Sequence, residues 1–144
     1  MRTIKFRGKN PATGEWVFGN YTQLKDEKGG LELNIVSREA ESHPYKDRVD
    51  FTNTWYEVTP ETVGQFTGLH DSKGNEVYED DIVIYRTSDA RFTKNPRFAV
   101  VKISFDETFA KFTYGNYWRD LYEEHIVEVI GNIHDNPELL NQEK

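Results

Sequence analysis

Leu31-Glu32-Leu33-Asn34-Ile35 alternates apolar and polar residues with period two, so every second side chain turns to one face. That is the pattern of a half-buried strand and not of a helix. The same alternation recurs on either side of it. Upstream, the polar turn Lys25-Asp26-Glu27-Lys28-Gly29-Gly30 follows Trp16 to Tyr21, a short run of aromatic and β-branched residues. Before that run, Asn10-Pro11-Ala12-Thr13-Gly14-Glu15 supplies the Asn, Pro and Gly of a loop, and Ile4 and Phe6 flank Lys5. Residues 3–7 and 15–22 therefore read as strands paired across the loop.

Downstream, residues 37–48 are polar and charged, contain Pro44, and read as a mobile surface loop. Val49 to Val58 reads as a strand broken near Asn53. Thr59-Pro60-Glu61-Thr62 suits a helix start, with a hydroxyl cap and proline at the first helical position. Gly64 and Gly68 limit that helix to a turn or two. Asp71-Ser72-Lys73-Gly74-Asn75 is a tight turn. Residues 77–78, 82–86, 98–105, 110–114 and 126–133 supply further strands, and Asn136-Pro137-Glu138-Leu139-Leu140 a capped helical turn. Tyr117 to Ile126 is the one stretch with the spacing of an amphipathic helix. The expected fold is mainly β (a β-rich α+β protein): short antiparallel strands, a small barrel-like sheet and one or two short helical turns. Residues 1–144 read as a single domain, with 37–60 the place where a subdomain division would fall.

Composition narrows the class of function. The 144 residues include 3 Trp, 8 Tyr and 9 Phe, enough rings for a folded core and too many for a disordered chain. The absence of cysteine excludes disulfides, thiol catalysis and cysteine-ligated metals within this chain. No apolar run approaches a membrane span, and Met1 to Arg7 lacks the apolar stretch of a secretory signal, which leads us to expect a cytoplasmic protein. The net charge is −7, with nine bases and eleven acids in residues 1–72 against nine and fourteen in 73–144. Such a chain is repelled on average by phosphate backbones, which disfavours sequence-blind nucleic-acid binding.

Val63-Gly64-Gln65-Phe66-Thr67-Gly68-Leu69-His70-Asp71-Ser72-Lys73-Gly74-Asn75-Glu76-Val77-Tyr78-Glu79-Asp80-Asp81-Ile82-Val83 resembles the signature of the YopX-like family of small bacteriophage and prophage proteins. Ile4-Lys5-Phe6-Arg7-Gly8-Lys9 resembles that family's opening. Val129-Ile130-Gly131-Asn132-Ile133 and Asn136-Pro137-Glu138-Leu139-Leu140 resemble its close. The three blocks stand in the expected order and bracket nearly the whole chain. Asp80 departs from the pattern, because the family usually has glycine before Asp81. The resemblance implies a phage or prophage gene expressed in a bacterial cytoplasm, a largely β protein and a capacity to self-associate. It implies no reaction, and no residue inherits a catalytic role.

Few residues suggest chemistry. Glu79-Asp80-Asp81 carries the oxygen ligands of a hard cation, yet it lacks the spacing and glycine of a calcium loop, and a solvated turn explains it. Glu123 and Glu124 beside His125 offer one histidine where a helical metal pair needs two. His43, His70, His125 and His134 are scattered, and folding would have to unite His70 with His134. No nucleophile elbow, phosphate loop or cofactor motif occurs. We expect no enzyme, no cofactor and no metal.

Two basic stretches interrupt the acidic background. Alternation places Lys5, Arg7 and Lys9 on one face, opposite Ile4 and Phe6. Arg86, Arg91, Lys94 and Arg97 punctuate a loop with Phe92 and Phe98 interleaved, a candidate contact for a partner or for nucleic acid. The aromatic cluster Phe109, Phe112, Tyr114, Tyr117, Trp118 and Tyr122 is explained for the most part by a β core, and any ring left exposed would suit a protein interface. The sequence therefore points to an accessory protein that associates with itself and with an unidentified host or phage protein. A nucleic-acid-binding regulator using residues 86–97 is the alternative.

Overall fold

A computed structural model of the chain describes residues 2–42, 49–87, 95–115 and 119–142. Among them are eleven strands and three short 3-10 stretches, Pro60–Thr62, Glu123–His125 and Pro137–Gln142. Every strand pairing is antiparallel. The mainly β class expected from the alternation is the one observed. The chain divides into two compact units, residues 3–65 and 66–144.

In the first unit, β1 (Phe6–Lys9), β2 (Trp16–Lys25), β3 (Leu31–Ser42) and β4 (Val49–Glu57) lie in the order β4-β3-β2-β1. The strand β5 (Gly64–His70) begins beside β1, with Gln65 opposite Phe6 and Gly64 opposite Arg7. Leu33, Ile35 and Val58 form the core, flanked by Phe6, Val17, Tyr21 and Val63. β2 changes partner midway: Trp16 to Gly19 pair with β1, and Asn20 to Lys25 pair with β3. Gly19 stands at the handover, where a Cβ would lie 2.2 Å from the Val36 carbonyl oxygen. The close approach of that carbonyl requires glycine there.

Two expectations are corrected in this unit. Ser37 to Ser42 are not loop: they continue β3, paired with β4 in unbroken register from Asn34 opposite Glu57 to Ser42 opposite Val49. The same pairing runs through Asn53 without a break. Backbone ladders are indifferent to side-chain polarity, so a polar sequence extends a hairpin that an apolar pattern would not reveal. The remainder of the expected loop, 43–48, lies outside the described residues.

The expected helix start at Thr59 is a single 3-10 turn. The Thr59 side chain caps nothing. Instead the Thr62 hydroxyl donates to the Thr59 carbonyl at 2.6 Å and accepts the Lys9 backbone N–H at 2.9 Å, tying the turn to β1. The chain then enters β5, a strand that Gly64 and Gly68 conceal by interrupting the alternation.

The second unit contains the rest of β5, with β6 (Glu76–Tyr78), β7 (Asp81–Arg86), β8 (Phe98–Asp106), β9 (Lys111–Tyr114), β10 (Arg119–Asp120) and β11 (Ile126–Asn132). β6 pairs with β5, and the other five form a sheet of order β10-β9-β8-β7-β11. Val77, Val83, Tyr85, Ile103 and Ile126 make the core. Tyr85 stacks on Tyr114 with ring centroids 3.9 Å apart. Residues 119–126 hold β10 and a 3-10 turn where an amphipathic helix was conceivable, and 116–118 lie outside the described residues.

Candidate functional site

The turn after β5 is organised by one carboxylate. Asp71 is 6% exposed, and its Oδ1 accepts the backbone N–H groups of Lys73 (3.0 Å) and Asn75 (2.8 Å). Its Oδ2 accepts the Asn75 side-chain amide (3.0 Å) and the backbone N–H of Val129 on β11 (3.0 Å). Burial pushes the Asp71 carboxyl up, and the four hydrogen bonds together outweigh it, holding the group below the usual carboxylate range. Ser72 fixes the same junction, donating from Oγ to the Val127 carbonyl at 2.5 Å. Lys73 pairs with Glu128 at 2.8 Å, and this hydrogen bond and charge raise the lysine above its ordinary value.

Beside this junction lies a cleft of about 580 Å³ lined by His70, Asp71, Ser72, Tyr122, Glu123, Glu124 and Ile126. Asp71 and Ser72 on its floor are engaged in structure, while Glu123 and Glu124 are exposed. Both Asp71 oxygens accept hydrogen bonds, the Ser72 hydroxyl donates to a carbonyl, and His70 packs edge-on against Phe66 at 5.6 Å. The Tyr122 backbone N–H donates to the Tyr85 hydroxyl at 3.1 Å. Burial pushes the Tyr85 phenol up to about 12, so it stays protonated at neutral pH. The cleft therefore presents carboxylates and a tyrosine ring to solvent, a surface suited to a cationic or amphipathic group of a partner.

Asp80 and Asp81 take different partners, and Asp81 is not the solvated turn residue expected from the sequence. Asp81 is 1% exposed and its Oδ2 accepts the Tyr78 backbone N–H at 2.7 Å. Asp80 adopts φ 70° and its Oδ2 stands 3.5 Å from His134 Nε2. The turn needs a left-handed residue here, which Asp tolerates better than most and which suits the glycine that the resemblance leads one to expect. Among the described residues no three His, Asp or Glu side chains are arranged to hold a metal.

The histidines have separate surroundings. His125 packs against Tyr85 and Tyr122 and lies 3.9 Å from Glu124, His134 faces Asp80, and His43 is outside the described residues. Of the candidate contact residues, Arg86 ends β7 half-buried, opposite Phe98 in register. Arg97 is exposed, and its carbonyl accepts the Thr87 backbone N–H at 2.8 Å. Arg91, Phe92 and Lys94 lie outside the described residues. Asp71 is the organising residue that sequence reasoning missed. Its turn was legible from Gly74 and Asn75, but its reach to Val129 was not.

The three blocks of sequence resemblance now have a common explanation. The opening strand β1 runs beside the start of β5. The signature turn at Asp71 grips β11, and β11 pairs with β7 through Asn132 opposite Asp81. In the closing block, a Cβ on Gly131 would sit 2.5 Å from Asn136 Oδ1, so glycine lets the 3-10 turn fold back on the strand. The fold and its turns define a small antiparallel β protein built on a turn-docking signature. The chain belongs to the YopX family: the family model described as YopX protein matches residues 5–141. It is similar in structure to protein EF1440 from Enterococcus faecalis, a crystal structure, with TM-score 0.57 and 25% identity, covering 97% of this chain and 99% of that one. Comparison with curated proteins gives no match. No helix among the described residues is long and apolar enough to cross a membrane.

Proposed function

We propose that this protein is a phage-type accessory factor of the bacterial cytoplasm that works by binding protein, itself included, and catalyses no reaction. The observation that carries this reading is the exposure of large rings on the second unit. Phe109 is 65% exposed, Tyr122 and Phe98 are also exposed, and Phe105 is 38% exposed. Phe105 packs edge-on against Phe112 at 5.1 Å, so it is presented on a rigid strand pair and not on a loose loop. Rings held rigidly in water cost little further entropy on docking, which makes them good interface anchors. In the cleft the Asp71 carboxylate and the Ser72 hydroxyl are taken up by structural hydrogen bonds, which favours recognition over turnover.

Affinity capture with the full chain from host lysate, divided into nuclease-treated and untreated halves, tests the reading. A protein that survives nuclease and is lost when Phe105 and Phe109 become serine supports it. Capture that vanishes with nuclease, or a measured turnover, overturns it.

A further inference from the structure

Tyr122, Glu123 and Glu124 are consecutive residues on a turn that is held at both ends. The Tyr122 backbone N–H donates to the buried Tyr85 hydroxyl at 3.1 Å, and the His125 N–H donates to the Tyr122 carbonyl at 3.1 Å. The Ile126 N–H donates to the Glu123 carbonyl, and its side chain enters the core as β11 begins. With its backbone fixed in this way, the turn offers solvent only side chains. Tyr122 is 54% exposed and both glutamates are exposed. All three line the cleft, which Ile126 walls with an apolar side chain. Among the described residues no lysine or arginine lines it. Lys73, on the neighbouring turn, pairs with Glu128 instead, and Glu124 has only the His125 Nε2 at 3.9 Å. Two carboxylates thus stand at a concave, partly apolar surface with no strong cation of the chain's own to neutralise them.

We propose that this cleft receives a lysine side chain from a basic segment of a partner protein. The inference rests on the protein-binding reading above and names the chemistry of the partner. A ring and two carboxylates recognise a cation carried on an apolar stem. The Tyr122 face attracts the ammonium, Glu123 and Glu124 accept its N–H groups, and Ile126 covers its methylenes. The cleft's volume of about 580 Å³ leaves room for the backbone on either side of that lysine. A bare metal ion is a poor fit, because a tyrosine ring and an isoleucine supply no ligand oxygens to complete its shell. Phosphate carries the wrong sign. The whole chain favours the same occupant, since a net charge of −7 steers basic segments toward it.

The test titrates the full chain with fluorescein-labelled tetralysine at about 0.1 M salt, where distant exposed charges are largely screened, and reads anisotropy. Changing Glu123 and Glu124 together to glutamine should weaken binding about fivefold, the scale of two exposed ion pairs. Tyr122→Ala should weaken it about threefold, and Tyr122→Phe, which keeps the ring, should not. All three side chains are exposed, so circular dichroism should show unchanged folding. The double change Glu107→Gln and Glu138→Gln removes the same charge outside the cleft and should leave the affinity unaltered. The proposal is overturned by no binding, by equal losses in the two double variants, or by indifference to Tyr122→Ala. Spermidine binding as tightly as the peptide would assign the cleft to free amines and also overturn it. Lysate capture that persists when Glu123 and Glu124 are both glutamine would leave the protein-binding reading standing and overturn this one.

Discussion

Asp71 Oδ2 accepts the Val129 backbone N–H at 3.0 Å, joining two residues 58 positions apart. One buried carboxylate thereby fixes both its own turn and the strand that closes the second unit's sheet.

Replacing Asp71 with alanine leaves four donors without their acceptor, including the Val129 N–H. We expect a loss of about 2–4 kcal/mol in denaturant unfolding, in the range for a broken buried hydrogen-bond network. The carboxyl is held below its ordinary value of 3.8, so its contribution is present above that pH and fades as pH falls further. Asp71→Asn should therefore be less stable at neutral pH and should lose part of the acid-side decline seen in the unaltered chain. Identical acid limbs for the two proteins would contradict the assignment.

At the next turn, backbone geometry and charge are separable. Asp80 sits at φ 70°, so glycine should be accommodated within about 0.5 kcal/mol despite losing the contact with His134. Valine should cost about 2 kcal/mol, because a β-branched residue is strained in the left-handed region. Thermal unfolding of Asp80→Gly and Asp80→Val decides the matter; equal losses would assign the position to charge instead.

Gly19 makes the sharper steric prediction. Alanine there drives a methyl into the Val36 carbonyl and should cost about 3 kcal/mol or more. Gly29 has φ +80° with nothing within 4 Å of a built Cβ, so Gly29→Ala should cost only about 1 kcal/mol. Comparable losses at the two sites would mean that the β2 handover is not held by contact.

Much of this architecture is legible in the chain because its hairpins combine period-two alternation with Gly, Pro and Asn turns. Leu33 and Ile35 go to the core as their alternation demands, and the turn at Gly74 and Asn75 falls where expected. β5 is hidden because Gly64 and Gly68 remove the side chains that would mark its faces. The outer end of β3 is hidden because Ser37 to Ser42 lack the apolar alternation that marks a strand, although they pair with β4 in register. The site is less legible than the fold. A buried Asp71 looks like any turn aspartate until β11 arrives from the far end of the chain.

Tyr85 offers a test from the alkaline side. Its phenol is raised from 10.0 to about 12 by burial, so its protonated form stabilises the fold fully below 10 and loses that effect as pH climbs toward 12. Tyr85→Phe removes the acceptor for the Tyr122 N–H, costing about 1 kcal/mol at neutral pH, and should reduce the alkaline decline. Ultraviolet difference titration showing all eight tyrosines ionising together, near the ordinary value, would contradict this.

The most direct test of a protein that acts through its own exposed rings is its mass in solution by light scattering over a range of concentrations. We expect a mass above that of one chain, falling to one chain when Phe105 and Phe109 are both changed to serine, with folding retained. A single-chain mass for the unaltered protein at every concentration, or an assembly indifferent to those two changes, would contradict it.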